Sequence, residues 1–169
     1  SFCSYCNLTC CPVFGVHYTP DGKRLISGSW DMTLKQWDIE TGKEIRSFIG
    51  HKNWVTTCII TPDGKRLISG SLDNTLKQWD IETGKEIRSF IGHKNRVTTC
   101  IITPDGKRLI SGSWDKTLKQ WDIETGKEIA TIELLWYVND IKFSKTNPNV
   151  IITANANGTL TSLDLSKYL

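Results

Sequence analysis

Residues 19–60 read TPDGKRLISGSWDMTLKQWDIETGKEIRSFIGHKNWVTTCII, and residues 61–102 repeat them with three changes in 42 positions. The changes are Trp30 to Leu72, Met32 to Asn74 and Trp54 to Arg96. A third copy starts at Thr103 and keeps the pattern through Ile129, and a divergent fourth unit runs from Val138 to Leu165 with an extra residue near Pro148. Self-similarity at a fixed period means that each copy is one supersecondary unit, which buries its apolar face only against its neighbours.

Inside a copy the apolar residues recur with period two, in short β-prone runs separated by turn residues. In the second copy the strands are expected at about 55–61, 65–71, 75–81 and 86–91. Pro62-Asp63-Gly64-Lys65 and Glu82-Thr83-Gly84-Lys85 supply two turns, with Pro presetting φ and Gly taking the positive φ, and Asp73-Asn74 makes the turn between them. No segment has the length and 3.6-residue period of an amphipathic helix. The class is all-β: four four-stranded antiparallel meanders, at about 13–49, 55–91, 97–132 and 138–165, within one region spanning residues 1–169.

Parity then assigns ends. In a four-stranded meander the first and third turns lie at one end, so PDGK and ETGK share the bottom and the Asp turn lies on top. All three differences between the first two copies fall on or beside the top. The scaffold was duplicated while one face was diversified.

Composition bounds the function. The 169 residues carry 21 Lys+Arg against 18 Asp+Glu, a net charge of +3, with both signs interleaved along each copy. A nucleic-acid site needs a concentrated basic face, so no nucleic-acid partner is expected. The longest apolar runs are a few residues, too short for a membrane helix, and no secretory leader pattern opens the sequence; a cytoplasmic protein with no membrane partner is expected. Cys58 and Cys100 are repeat equivalents in strand-like runs and read as small buried hydrophobes. Cys3, Cys6, Cys10 and Cys11 form a C-x2-C-x3-C-C cluster, but no second CxxC or HxxxH knuckle follows, so neither a metal nor another cofactor is expected.

Gly50-His51, Gly92-His93, the turn residues Asp31, Asp73 and Asp115, and the pairs Trp37-Asp38, Trp79-Asp80 and Trp121-Asp122 together resemble the WD40 repeat family, whose propeller blades span roughly 40 to 45 residues. The resemblance implies four consecutive β-propeller blades. It also implies a buried structural tetrad in each complete blade: Trp79, Ser69, His51 and Asp73, then Trp121, Ser111, His93 and Asp115. A His, Ser and Asp together also suggest a nucleophilic triad, yet a network that uses every donor and acceptor internally leaves no free hydroxyl and no oxyanion hole. No enzymatic activity is expected. The end units depart from the tetrad: Thr9 stands at the first His position, and the fourth unit has Thr153, Asn157 and Leu163 with Leu134-Leu135 replacing Gly-His.

By the same resemblance the top face binds proteins or peptides. The positions carried over are Trp54, Arg96 and Tyr137 before the first strand, Thr56 and Thr98 after its Val, and Trp30, Leu72 and Trp114 before the turn Asp, with Pro12, Phe14, Asn139 and Ala156 completing the rows. Trp136 joins them from the 134–137 loop. Trp, Tyr and Arg are the types enriched in binding hot spots. Such aromatics also cap contacts between adjacent blades, and for the 134–137 loop a partner contact and a fold back onto its own blade stand equally. The reading is a non-enzymatic protein-interaction scaffold. Since propellers close with about four to eight blades, and WD40 rings are at the larger end, four such blades form an open arc. The arc is an incomplete propeller or half of a homodimeric ring, and residues 1–8 are a candidate outer strand that closes the last blade.

Overall fold

The computed structural model describes residues 12–167. Blade 1 consists of β1 (Val13–Tyr18), β2 (Arg24–Ser29), β3 (Thr33–Asp38) and β4 (Glu44–Ile49). Blade 2 consists of β5 (Val55–Ile60), β6 (Arg66–Ser71), β7 (Thr75–Asp80) and β8 (Glu86–Ile91). Blade 3 repeats the pattern with β9 (Val97–Ile102), β10 (Arg108–Ser113), β11 (Thr117–Asp122) and β12 (Glu128–Glu133). Blade 4 has three described strands, β13 (Val138–Phe143), β14 (Val150–Asn155) and β15 (Leu160–Asp164), followed by a 3-10 turn at Leu165–Lys167. Each sheet is an antiparallel meander in chain order, and the strand bounds differ from the sequence expectation by a residue or two. The Cys cluster, Thr9 and the candidate outer strand at 1–8 lie outside the described residues.

The turns form for the expected reason. Gly64 and Gly84 have φ of 72° and 73°, and the Ile81 amide donates to the Lys65 carbonyl at 3.1 Å, which ties the PDGK and ETGK turns together at the bottom. Thr61 and Asp63 brace the first turn: the Thr61 hydroxyl donates to the Asp63 carboxylate at 2.5 Å, and the Lys65 amide donates to it at 3.0 Å.

The core lies between blades. Ile26, Leu34 and Phe48 of blade 1 pack on Val55, Cys58, Leu67 and Trp79 of blade 2. Ile68, Leu76 and Phe90 make the same contact with Val97, Cys100, Leu109 and Trp121 of blade 3, and Ile110 and Leu118 meet Val138, Ile141 and Ile151 of blade 4. Each of these large side chains stabilises the stack by about 1.5–3 kcal/mol, so no blade is stable alone. Burial pushes the thiol of Cys58 far above its ordinary value and that of Cys100 up to about 12, so both are inert. The blades follow one another in an open arc: β1, β5, β9 and β13 pack in succession along one edge, and the arc does not close into a ring.

Bottom clamps repeat at the first two boundaries. Arg24 pairs with Glu82 at 2.9 Å and Arg66 with Glu124 at 3.0 Å, each reaching from one blade to the next. Arg88 adds a bond from Nη1 to the Glu124 carbonyl. At the third boundary Ala130 stands in the register position of Arg46 and Arg88, and Arg108 turns to Asp122 of its own blade at 3.5 Å.

Candidate protein-binding face

The tetrads hold the top of the middle blades. In blade 2 the Trp79 indole donates to Ser69 Oγ at 2.9 Å, Ser69 Oγ lies 2.7 Å from His51 Nε2, and His51 Nδ1 lies 2.8 Å from Asp73 Oδ2. An indole N–H only donates, so Ser69 accepts from Trp79, while the Ser69 hydroxyl and the Asp73 carboxylate engage the two ring nitrogens of His51. Blade 3 repeats the chain through Trp121, Ser111, His93 and Asp115 at 2.9, 2.8 and 2.8 Å. Ser69 and Ser111 are wholly buried, out of a substrate's reach.

The turn carboxylates are held equally fully. Asp73 accepts from the Lys52 amide at 2.9 Å, the Thr75 amide at 3.0 Å and the Thr75 hydroxyl at 2.6 Å. Burial works against its charged form, but the bonds from His51, Thr75 and Lys52 outweigh that and hold the carboxyl well below the usual carboxylate range. Asp115 is depressed by the same causes. Blade 1 keeps the bond from Trp37 to Ser27 at 2.9 Å. Blade 4 builds a different network, in which Thr153 donates to Asn155 at 3.0 Å and Asn155 donates to Thr161 at 2.8 Å.

Above this layer the aromatic residues form two stacks. Phe14, Trp30 and Trp54 run in series, with centroids 5.4 Å and then 4.0 Å apart and planes within 22° of parallel. Arg96 lies over Trp114 at 3.1 Å, and Trp114 stacks on Tyr137 at 5.2 Å. Trp30 to Trp54 and Trp114 to Tyr137 are contacts from one blade to the next. The backbone sets the rows, since the Leu72 amide donates to the Trp54 carbonyl at 2.9 Å and the Trp114 amide to the Arg96 carbonyl at 3.0 Å. Leu72 thus lies between the stacks, and Trp54, Tyr137 and Phe14 remain exposed.

Two of the expected contact residues are committed internally. The Thr56 hydroxyl donates to Val97 O at 2.7 Å, with Gly70 O as second acceptor at 3.0 Å, and Thr98 does the same to Val138 O at 2.5 Å and Gly112 O at 3.1 Å. Each clasps one blade to the next. Trp136 is apart from both stacks: it lines a recess with Leu134, Leu135, Asn155 and Thr159, above the β14–β15 turn of blade 4. Asn139 and Ala156 are exposed beside that turn.

The profile described as "WD domain, G-beta repeat" matches residues 4–38, 42–80 and 84–122. The chain belongs to the WD40 repeat family. Each matched unit ends on the Trp-Asp pair that closes the third strand of a blade, and the second and third matched units begin with the last strand of the preceding blade, β4 and β8. Among curated relatives, an uncharacterized WD repeat-containing protein of Schizosaccharomyces pombe is 31% identical over 53 residues, which is 31% of this chain and 14% of that protein. A Lissencephaly-1 homolog of Branchiostoma floridae is 56% identical over 34 residues, 20% of this chain and 8% of that protein. The matched stretches therefore span only a small part of those WD40 proteins. WD40 repeats are in general protein-interaction scaffolds without enzymatic activity.

Proposed function

We propose that this WD40 arc is a non-enzymatic, cytoplasmic scaffold that captures a protein segment on its aromatic top face. The observation that carries the reading is the pair of stacks, Phe14–Trp30–Trp54 and Arg96–Trp114–Tyr137, which hold flat aromatic surface open to solvent on a rigid support. Preorganised aromatics lose little conformational entropy on binding. The charges beside them favour an acidic partner. Lys52, Lys94 and Lys116 are exposed on this side, with Arg96 half-buried over Trp114, while the Asp73 and Asp115 carboxylates are consumed by the tetrads. A segment carrying carboxylates around one or two apolar side chains matches both features.

The test is a tryptophan-fluorescence titration with an Asp/Glu-rich peptide containing Leu and Phe, against the same peptide with Lys at the acidic positions. Saturable binding of the acidic peptide is expected, weakened at least tenfold by Trp54→Ala or Arg96→Ala with the far-UV spectrum unchanged. Equal binding of both peptides, or indifference to both variants, overturns the proposal.

A further inference from the structure

Blade 4 departs from the other blades at its top turn. Asp31-Met32-Thr33, Asp73-Asn74-Thr75 and Asp115-Lys116-Thr117 form this turn in blades 1 to 3, and Asn157-Gly158-Thr159 forms it in blade 4. The turn bonds are the same: the Thr159 amide and hydroxyl donate to Asn157 Oδ1 at 3.1 and 2.7 Å, as those of Thr75 donate to Asp73 Oδ1 at 3.0 and 2.6 Å. The second side-chain atom differs. In blades 2 and 3 it is a carboxylate oxygen that accepts from the amides of Lys52 and Lys94, each three residues ahead of the Val that opens the blade. In blade 4 it is an NH2 group, which cannot accept. Leu135 stands three residues ahead of Val138 and lines a recess with Trp136 and Thr159.

The Asn-Gly pair brings a chemistry of its own. Asn157 is the one Asn of the sequence followed by Gly, and both residues are exposed. Gly158 has no Cβ to shield its nitrogen from the neighbouring side-chain amide carbon. Thr159 holds two donors on Asn157 Oδ1, the oxygen that takes negative charge when that carbon is attacked, which is the geometry of an oxyanion hole. The Gly158 amide itself donates to Asn155 O at 3.0 Å, so the attack waits for the turn to open. The bottom turns carry Asp21-Gly22, Asp63-Gly64 and Asp105-Gly106, but bonds from Thr19, Thr61 and Thr103 and from the turn amides hold those carboxyls ionised, below the usual carboxylate range. A carboxylate resists the nucleophilic attack to which a neutral amide is open.

We infer that Asn157-Gly158 is a self-modifying site, at which the folded chain converts the amide into the turn aspartate of the other blades. The Gly158 nitrogen gives its proton to hydroxide and bonds to Asn157 Cγ. The Cγ–Nδ2 bond then breaks and ammonia leaves, taking a proton from water, and a succinimide ring remains. Water opens the ring in one of two ways. Cleavage between Cγ and the Gly158 nitrogen yields aspartate, and cleavage between the Asn157 backbone carbonyl carbon and that nitrogen yields isoaspartate. The Thr159 donors polarise the carbonyl at Cγ and direct water there, towards aspartate. The new carboxylate oxygen accepts from the Leu135 amide, as Asp73 accepts from Lys52, and ties the loop that carries Trp136 and Tyr137 to the turn.

The experiment holds the full chain at mildly alkaline pH and follows the tryptic peptide 146–167 by mass spectrometry with fragmentation, because that peptide also carries Asn147, Asn149 and Asn155 as internal references. An endoproteinase that cuts before aspartate and not before isoaspartate separates the two products. Acid is expected at Asn157 roughly tenfold or more faster than at the references, mainly as aspartate, with Gly158→Ala suppressing it. In urea, and in Thr159→Val, the isoaspartate share is expected to rise. Asn157→Asp is expected to slow amide exchange at Leu135 by about two- to tenfold, the range for one added hydrogen bond, and Asn157→Gln to leave it unchanged. Conversion at Asn157 no faster than at the references overturns the inference, as does a folded chain that yields as much isoaspartate as the chain in urea. Unchanged Leu135 exchange in Asn157→Asp overturns the tie between turn and loop.

Discussion

Trp54 lies flat on Trp30, with ring centroids 4.0 Å apart and planes 12° from parallel, although the two rings belong to neighbouring blades. One side of the pair supports the blade boundary and the other faces solvent, so under the proposed function packing and recognition fall on the same atoms. Trp54→Ala removes both. A stacked pair contributes about 0.5–1.5 kcal/mol beyond its buried area, so a loss of about 1–2 kcal/mol is expected in urea titration, with the near-UV circular dichroism of coupled indoles abolished. Trp54→Arg copies the third blade's Arg96 and should fold normally. A loss above about 4 kcal/mol for the alanine variant would instead make Trp54 a core residue.

The tetrad carboxylates set an acid dependence. Asp73 and Asp115 are held below their ordinary value of 3.8 in the folded chain, so at acid pH the unfolded chain binds protons more readily than the folded one. Their stabilising contribution is complete above that ordinary value and drains away as pH falls through the lower folded one. Asp73→Asn should therefore cost about 1–3 kcal/mol near neutral pH and progressively less below about pH 4. Urea midpoints of the parent and the variant, measured at both ends of that range, check it; a constant difference would show that the charge of Asp73 contributes nothing.

Blade spacing depends on a missing methyl group. A Cβ on Gly70 would lie 2.7 Å from Val97 Cγ1 and 2.8 Å from Thr57 Cγ2, and Gly28 and Gly112 meet Val55 and Val138 at the same 2.7 Å. Gly70→Ala must push blades 2 and 3 apart, at a cost of about 1–3 kcal/mol. Adding Val97→Ala makes room for the new methyl, so the double variant should be more stable than the sum of the two single losses. Simple additivity in that double-mutant cycle would place the strain elsewhere.

These boundary contacts explain how far the sequence could be read. The strands, the bottom and top turns and both tetrads were legible, because each depends on spacing inside one copy. The clasps were not. Thr56 reaches Val97 O, 41 residues away, and Arg66 reaches Glu124, 58 residues away, so both join one copy to the next. Nearly identical copies hide such partners, because a constant residue looks the same whether it serves its own blade or the neighbouring one. One signal did exist: the third copy has Ala130 in the Arg position just where the fourth unit lacks the ETGK turn. The pairwise stacking of the aromatic rows follows from blade-to-blade geometry that a single repeat does not contain.

The turn after each tetrad Asp carries a small conformational penalty that varies between blades. Met32, Asn74 and Lys116 have φ of 69°, 70° and 65°, and blade 4 places Gly158 there at 83°. Asn adopts this left-handed region readily, whereas Met and Lys adopt it only at a conformational cost. Met32 is exposed, so Met32→Gly relieves the strain without opening a cavity. A gain of about 0.5–1 kcal/mol is expected after the added freedom of the unfolded chain is subtracted, and Asn74→Gly should gain less. Equal or negative shifts in urea midpoint would show that the loop already pays no penalty at Met32.

Blade 4 should open first. It lacks the Trp–Ser–His–Asp chain, and among the described residues its boundary with blade 3 has no counterpart of the Arg24–Glu82 and Arg66–Glu124 clamps. What joins it is the Thr98 clasp, the bond from Thr99 to Asp140 at 3.0 Å and the apolar contact around Val138, Ile141 and Ile151. In a stack of units coupled only to their neighbours, a weak terminal interface lets the last unit unfold without the rest. Amide exchange in β13–β15 is therefore expected to exceed that in β5–β11 by at least tenfold, with urea lowering the protection of blade 4 before that of blades 2 and 3. Thr98→Val, which keeps the volume and removes the clasp, should widen that gap while leaving β5–β8 untouched. Uniform exchange across all four blades would mean that the arc unfolds as one unit and that the apolar contact alone couples blade 4 to it.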